Sequence, residues 1–216
     1  MIGYNISSGS FEFRHRMEIE EKPASIVIRP YIPRELKDIC RIFTHSNPGK
    51  APEEIMKWAL PVAIENICHY QFAAEYKGKI LGAVSGKVRD KRKNVNGYID
   101  DIAIDKELVA GLFPELRKAV DNWGHRISIG SFLLDAVIYA FLNDRLPAVE
   151  LDVYEFNLGA RRFYDEHGFY VKETRIISPE EESDGFMVGA TTYTMRRNLD
   201  SSPDAAHRWR KYQGIK

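Results

Sequence analysis

The sequence predicts a mixed α/β fold whose sheet is predominantly antiparallel. Short runs rich in β-branched residues alternate along the chain with segments whose apolar residues recur at helical spacing. One pair of predicted strands, 97–104 and 148–154, is joined through a helix, so these two strands are expected to be parallel neighbours. The predicted order is one strand, two helices, three strands, an intervening helix, and then helix, strand, helix and two closing strands.

Length and charge narrow the functional class. The chain has 216 residues, with 31 basic and 31 acidic side chains, and this balance predicts no nucleic-acid partner. No apolar run approaches the roughly 18 residues of a membrane span, and the N-terminal segment lacks the apolar region of a signal peptide. Cys40 and Cys68 both lie in apolar-periodic segments, which favours buried thiols in a reducing cytoplasm over a disulfide framework. A cytoplasmic protein without a membrane partner is therefore expected.

The patterned part of the chain, residues 24–199, is predicted to be one domain. Residues 1–23 are polar and are predicted to be an irregular extension, and residues 200–216 a polar tail. The first predicted elements are strand 24–30, a helix 33–43 that begins at Pro33, a helix 52–68 with a kink at Pro61, and a hairpin turning at Lys77-Gly78-Lys79. A charged loop, 89–96, then precedes strand 97–104. The later elements are a helix at about 113–123, helix 131–143, strand 148–154, a short helix closed by Gly168, and strands 169–177 and 191–199.

The stretch HRISIGSFLL leads from a short polar segment into an apolar helix. A helix N-terminus presents unpaired N–H groups and the positive end of the helix dipole, and both attract phosphate. Small residues would let a pyrophosphate reach the backbone, and basic residues at the rim would add positive charge. Taken alone, the pattern is more typical of an ordinary strand-to-helix junction, because many such junctions bind nothing. The residues assigned to this turn are His125, Arg126, Ile127, Ser128, Ile129, Gly130 and Ser131.

A second constellation follows the predicted strand 148–154 directly. Four residues there are spaced so that they share one helical face. Because ligands of open α/β sheets bind beyond the carboxyl ends of the strands, an amide and a phenol here could face a ligand. The alternative is structural, with Asn157 capping the helix and with Phe163 and Tyr164 as core aromatics. The four residues are Asn157, Ala160, Arg161 and Tyr164.

The third constellation is the pair Asp100-Asp101 in an otherwise apolar strand. Side chains alternate along a strand, so the two carboxylates are expected to face opposite sides. Since buried carboxylates are costly unless they are paired, one of them could face a cleft and act as a base. The equally weighted alternative is that one pairs with a basic neighbour and the other caps a bulge. The histidines and cysteines show no metal-ligand spacing, so no metal site is predicted.

In order and spacing, residues 24–199 resemble the GNAT superfamily of acyl-CoA-dependent N-acyltransferases. IVIRPYIPREL resembles the family's first strand and helix, FAAEYKGKILGAVSG its second and third strands, and GYIDDIAI its fourth strand. VELDVYEFNLGARRFYDEHGFY resembles its second coenzyme A motif, and this is the most specific match. The resemblance implies a mostly antiparallel sheet of about six to seven strands, flanked by helices on both faces.

The resemblance also implies a mechanism. The family's fourth and fifth strands diverge at a bulge, and pantetheine enters the gap beside the backbone of Ile102, Ala103 and Ile104. The pyrophosphate then lies on the turn at residues 125–131. Asn157, Ala160, Arg161, Phe163 and Tyr164 complete the site for acetyl-CoA. The acceptor, a primary amine of a small molecule or peptide, attacks the thioester directly, with Asp100 or Asp101 as the base and Tyr164 as the acid that protonates the leaving thiolate.

Two departures from the family pattern stand out. The family's coenzyme signature is Gln/Arg-x-x-Gly-x-Gly/Ala, and residues 125–130 are the matching hexapeptide. There His125 replaces Gln or Arg and Ser128 replaces the first Gly, so the Ser128 position requires a negative φ. In addition, a helical insertion at about 106–123 lies between the fourth strand and the signature, and it is expected either to cover the acceptor side or to mediate a homodimer. The altered signature leaves an alternative function open, that of a non-catalytic GNAT-fold module that binds acyl-CoA or a protein partner.

Overall fold

The computed structural model describes residues 3–7, 10–17, 24–46, 69–91, 94–112, 128–179 and 187–199. Within them a nine-stranded sheet has the order β1-β2-β3-β4-β5-β6-β7-β9-β8. The strands are β1 Gly3–Ser7, β2 Ser10–Met17, β3 Ala24–Pro30, β4 His69–Tyr76, β5 Lys79–Lys91, β6 Asn94–Ile104, β7 Ala148–Tyr154, β8 Tyr170–Ile176 and β9 Thr191–Asn198. The helices are α1 Leu36–Ser46, α2 Lys106–Leu112, α3 Ile129–Asn143 and α4 Leu158–Glu166, and a 3₁₀ turn, Pro33–Glu35, precedes α1.

The predicted fold class is confirmed. All neighbouring strands pair antiparallel except β6 and β7, which are parallel as their helical connection predicted. Helices cover both faces of the sheet, because the consecutive buried residues Ala73 and Ala74 of β4 belong to two different apolar clusters. Ala73 packs in the cluster of α1, which contains Ile39 and Phe43. Ala74 packs in the larger cluster of α3, which contains Phe141.

The prediction that residues 1–23 form an irregular extension is wrong for residues 3–7 and 10–17, which are strands. These residues form the antiparallel strands β1 and β2, and β2 pairs with β3 from Phe13↔Ile28 to Met17↔Ala24. SFEFRHRM alternates between a polar set, Ser10, Glu12, Arg14 and Arg16, and a second set, Phe11, Phe13, His15 and Met17, that is largely apolar. The segment therefore carries the period-2 pattern of a strand, but its charged residues and the polar residues around it led to the interpretation as an irregular extension. The strands β1 and β2 add to the seven that the pattern predicted.

The predicted charged loop 89–96 is also mostly strand. The backbone of β5 continues to Lys91 and that of β6 begins at Asn94, so the pair forms one long hairpin. By contrast, the hairpin predicted at Lys77-Gly78-Lys79 is confirmed, since Lys77 and Gly78 have φ values of 48° and 76° and join β4 to β5. Two positive φ values in succession define a type I′ turn, which matches the twist of the strands and favours glycine.

Three predicted helices meet the structure in different ways. The helix predicted from 131 to 143 is α3, which begins two residues earlier, and the insertion predicted at 106–123 begins with α2. The remainder of that insertion, residues 113–123, and the helix predicted at 52–68 lie outside the described residues.

Candidate active site

The strands β6 and β7 diverge soon after they meet. Their parallel pairing consists of Gly97↔Val149 and Tyr98↔Glu150, although β6 continues to Ile104. On its other side, β6 stays paired with β5 throughout this length. Along Ile99–Ile104, the edge of β6 that faces β7 is therefore without a strand partner in the described part of the chain. This edge includes the three residues predicted to border pantetheine, Ile102, Ala103 and Ile104.

A β-bulge in β6 lies where the two strands diverge. Ile99 is opposite Gly86 and Asp101 is opposite Ser85, so Asp100 is the extra residue. Asp100 and Asp101 were expected to face opposite sides of the sheet because side chains alternate along a regular strand. The bulge at Asp100 interrupts that alternation, which the prediction did not include. Asp100 is exposed and forms an ion pair with Lys87, whose Nζ lies 2.6 Å from Asp100 Oδ1. Asp101 is half-buried and pairs in register with the buried Ser85.

Tyr164 lies on α4 with only 7% of its surface exposed. Burial, followed by the negative charge of Asp101, raises the pKa of the Tyr164 phenol above its ordinary value. The phenol therefore keeps its proton at neutral and mildly alkaline pH. This is the protonation state that a general acid needs. The structural alternative is also realised in part, because the Tyr164 ring packs against Phe163 and Phe169 in the core.

The N-terminus of α3 closes the other end of the site. Ser128 is the N-cap with φ −131° and ψ 150°, and its Oγ accepts a hydrogen bond of 3.1 Å from Ser131 N–H. The negative φ is the one that serine needs at this position. Ile129 and Gly130 are buried in the first turn. A Cβ added at Gly130 would lie 3.3 Å from Ile104 Cδ1 and 3.5 Å from the Phe163 ring, so three predicted coenzyme-site residues meet here.

The second predicted motif is held together by local hydrogen bonds. Asn157 caps α4, because its Oδ1 accepts from Ala160 N–H at 3.1 Å, as the structural alternative predicted. The cap uses the carbonyl oxygen of the side chain and not its NH₂ group. The Arg161 guanidinium donates to the Glu155 carbonyl oxygen at 3.0 Å and lies over the Tyr193 ring. His125, Arg126 and Ile127 lie outside the described residues.

The structure adds one residue near the site that the sequence pattern did not reveal. The His167 ring bridges the first turn of α3 and the end of α4, with Nε2 2.9 Å from Ser131 Oγ and Nδ1 2.7 Å from the Phe163 carbonyl oxygen. In the sequence, His167 stands before Gly168, where a helix ends. A histidine at a helix end has a common capping role, so the pattern there gives no sign of a second partner.

Two buried carboxylates on β7, which the sequence analysis also missed, line the face of the sheet next to the bulge. Glu150 Oε1 accepts hydrogen bonds of 2.8 Å from both Lys172 Nζ and Arg196. Burial by itself would raise the Glu150 pKa, but these two cations lower it below its ordinary value. Asp152 accepts bonds from Tyr98 Oη at 2.9 Å and Arg175 at 3.0 Å. In the sequence AVELDVY the alternation was visible, but the cationic partners come from β8 and β9. They could not be assigned without the sheet order.

Neither a metal centre nor a membrane segment is found among the described residues. No group of three or more potential metal ligands occurs in this part of the chain. None of the described helices is both long and apolar enough to cross a bilayer. The candidate site consists of the open backbone edge of β6, the N-terminus of α3 and the side chains of Asp101 and Tyr164.

Solved structures of acetyltransferases share this architecture. Ard1 from Thermoplasma volcanium is 19% identical, with a TM-score of 0.56 over 81% of this chain and 97% of that one. An acetyltransferase of the GNAT family from Streptococcus pneumoniae is 19% identical, with a TM-score of 0.52 over 81% and 99%. The chain has the GNAT fold. Naa50 of Arabidopsis thaliana, in complex with the bisubstrate analogue CoA-Ac-MVNAL, shares this GNAT fold at 17% identity and a TM-score of 0.56 over 81% and 99%. No protein-family model matches the sequence, and no curated protein matches it significantly.

Proposed function

We propose that the protein is an acetyl-CoA-dependent N-acetyltransferase that transfers an acetyl group to a primary amine of a small molecule or peptide. The observation that carries the proposal is the gap between β6 and β7, where Asp101 lies beside the bulge and its charge acts on the protonated Tyr164, and where the N-terminus of α3 lies beside Ile104 and Phe163. The GNAT fold, and a coenzyme A conjugate in the Naa50 complex, support this use of the gap.

Coenzyme A would lie along the open edge of β6. Pantetheine amides would pair with the backbone at Ile102–Ile104, as an added strand pairs with a sheet edge. The pyrophosphate would lie against the N–H groups of the turn at residues 125–131, where Ser128 and Gly130 keep side-chain bulk small. Asn157 and Ala160 at the start of α4, with Arg161 and Phe163 behind them, would form the second wall.

The transfer is a direct displacement. The neutral amine attacks the thioester carbonyl carbon, a C–N bond forms, and the tetrahedral intermediate expels the thiolate. Asp101 takes the proton that the amine nitrogen loses, and the Tyr164 phenol donates a proton to the thiolate sulfur, so proton and charge balance once Asp101 and Tyr164 exchange with solvent. Proton transfer by positioned groups of this kind typically accelerates a reaction by about 10²–10⁴-fold. We assign the base to Asp101 because its charge acts on the Tyr164 phenol, the proposed acid, whereas Asp100 forms an ion pair with Lys87.

The proposal is tested by two measurements on the full chain. Calorimetry with acetyl-CoA and desulfo-CoA measures binding, and coenzyme thiol release with a panel of primary amines measures turnover. We expect binding of both ligands and amine-dependent release. Tight binding with no turnover on any amine would favour the non-catalytic module, which the altered signature at His125 and Ser128 keeps as the alternative. Absence of any coenzyme binding would overturn both functions.

A further inference from the structure

The His167 ring joins the two helices that form the proposed coenzyme site. His167 is the C-cap residue of α4 and is partly buried. Its Nε2 is 2.9 Å from Ser131 Oγ, in the first turn of α3, and its Nδ1 is 2.7 Å from the Phe163 carbonyl oxygen. Ser131 Oγ is also 3.0 Å from Ser128 Oγ. Hydrogen bonds therefore link the imidazole ring through Ser131 Oγ to Ser128 Oγ, at the N-cap of α3 in the proposed pyrophosphate turn.

The Phe163 carbonyl fixes the tautomer of this ring. A carbonyl oxygen only accepts hydrogen bonds, so Nδ1 must carry a hydrogen and donate it. In the neutral imidazole, Nε2 then has no hydrogen and can only accept. The Ser131 hydroxyl must therefore donate to Nε2, and its hydrogen points toward the ring instead of toward a ligand at the end of α3.

Protonation of His167 reverses this hydrogen bond. Both ring nitrogens of an imidazolium donate, so Nε2–H now donates to Ser131 Oγ. The Ser131 hydrogen is released, either toward the N-terminus of α3 directly or to Ser128 Oγ, in which case the Ser128 hydrogen is released instead. In either case the turn gains one hydroxyl donor and a nearby positive charge. Phosphate oxygens are acceptors, so both changes favour a bound diphosphate.

The helix ends couple this protonation to an anionic ligand. The ring lies at the carboxyl end of α4, whose dipole favours a cation, and next to the amino end of α3, whose dipole opposes one. A diphosphate at the amino end of α3 would remove that opposition and attract the imidazolium. The charged groups on the elements around the ring are Arg161, Arg162, Asp165 and Glu166 of α4, Asp135 of α3, and Arg196 and Arg197 of β9. Arg162 pairs with Glu166, and Arg197 donates to the His167 carbonyl oxygen.

We propose that His167 is a positioning residue for the coenzyme diphosphate, which in its protonated form turns a serine hydroxyl toward the phosphates, so that coenzyme binding is coupled to proton uptake. The inference rests on the proposed function, because it requires a diphosphate at the N-terminus of α3. It concerns the affinity for the coenzyme and leaves the roles of Asp101 and Tyr164 unchanged.

The ligand for the test is dephospho-CoA. Each phosphorus of its diphosphate carries one ester and one anhydride linkage and does not titrate near neutrality, whereas the 3′-phosphate of coenzyme A is a monoester that titrates near pH 6 and would mask the effect. Calorimetry is performed from about pH 5.5 to about pH 7.5, the range in which histidine changes charge and the thiol stays protonated. Repetition in buffers of different ionisation enthalpy counts the protons taken up. We expect the dissociation constant to rise about five- to tenfold over this range, with proton uptake on binding.

Matched variants locate the effect. Because His125 belongs to the same predicted turn and is itself a titratable imidazole, the variants are compared in a His125→Gln background. There His167→Gln should make the dissociation constant independent of pH, and His45→Gln, in α1 on the opposite face of the sheet, should keep the dependence. Ser131→Ala keeps the charge of His167 but removes the hydroxyl that the ring turns, so it should weaken the dependence, which provides a second route if His167→Gln folds poorly.

The outcomes separate this inference from the proposed function. A dissociation constant that does not change with pH would overturn the role of His167, and so would a dependence that persists undiminished in His167→Gln and Ser131→Ala or that disappears in His45→Gln. Failure of dephospho-CoA to bind the wild-type protein at any pH would overturn the proposed coenzyme site itself, together with this inference.

Discussion

The carboxylate of Asp101 on β6 acts on the buried phenol of Tyr164 on α4, and, after burial, its charge is what raises the Tyr164 pKa. Asp101 belongs to β6, and Tyr164 belongs to the helix that follows β7. Under the proposed function, a carboxylate base and a protonated phenol would thus act on the same bound thioester. The predictions below follow from this pairing and from the packing that holds it.

Tyr164→Phe removes the proposed acid and keeps the ring in the core. We expect kcat to fall by about 10²-fold, because the leaving thiolate loses its proton donor, while the dissociation constant for acetyl-CoA changes little. Steady-state kinetics and calorimetry measure the two quantities. If affinity falls and kcat does not, Tyr164 has a structural role only.

The two acidic residues of the bulge provide a matched pair. Asp101→Asn should lower kcat by about 10²-fold, since the amide cannot accept the amine proton. Asp100→Asn should have a small effect, because Asp100 is exposed and serves mainly as the partner of Lys87. Thiol release at saturating acetyl-CoA compares the two variants. A larger loss in Asp100→Asn would transfer the role of base to that residue.

Gly97 tests the packing that brings β6 to α3. A Cβ at Gly97 would lie 2.5 Å from the Phe141 ring, so Gly97→Ala should destabilise the protein by about 1–3 kcal/mol through overpacking. Gly111 in α2 is the control, because a Cβ there meets nothing within 4 Å. Gly111→Ala should raise stability slightly, by about 0.5 kcal/mol, through helix propensity. Urea unfolding measures both, and equal effects would contradict the packing described for Gly97.

The ion pairs of Glu150 predict that the free energy of unfolding depends on pH. Burial opposes ionisation, but Lys172 and Arg196 lower the Glu150 pKa below its ordinary value. A lowered folded-state pKa stabilises the protein above the unfolded pKa, and this contribution is lost as the pH falls through the folded value. Glu150→Gln should therefore cost about 1–3 kcal/mol at neutral pH, and the cost should shrink below about pH 4. Urea unfolding of both proteins across this range is the test, and a cost that stays constant with pH would contradict it.

The sequence predicted most of the fold because its local patterns agree with the final structure. The strand 148–154 and the turn at Lys77-Gly78 are specified by nearby residues, and so is the start of α3 at Ser128. The strands β1 and β2 were missed although SFEFRHRM alternates, because a short alternating run among charged residues does not show that the edge of β3 is there to pair with it. The bulge at Asp100 depends on the register between β5 and β6, which no local pattern specifies.

The site was predictable to a similar degree. The residues that carry the family resemblance were found in sequence, and Ile104, Gly130 and Phe163 do come together. The division of roles between Asp100 and Asp101 could not be predicted, since it depends on Lys87 from the neighbouring strand. The contact of His167 with Ser131 joins residues far apart in the chain, so only the packing of α4 against α3 reveals it.

The central claim is catalysis of acetyl transfer, and the most direct measurement is amine-dependent release of the coenzyme thiol by the wild-type protein beside Asp101→Asn. The account predicts release from acetyl-CoA with at least one class of primary amine, at a rate that falls by about 10²-fold in the variant. Release that is absent with every amine, or that is equal in the two proteins, would contradict it.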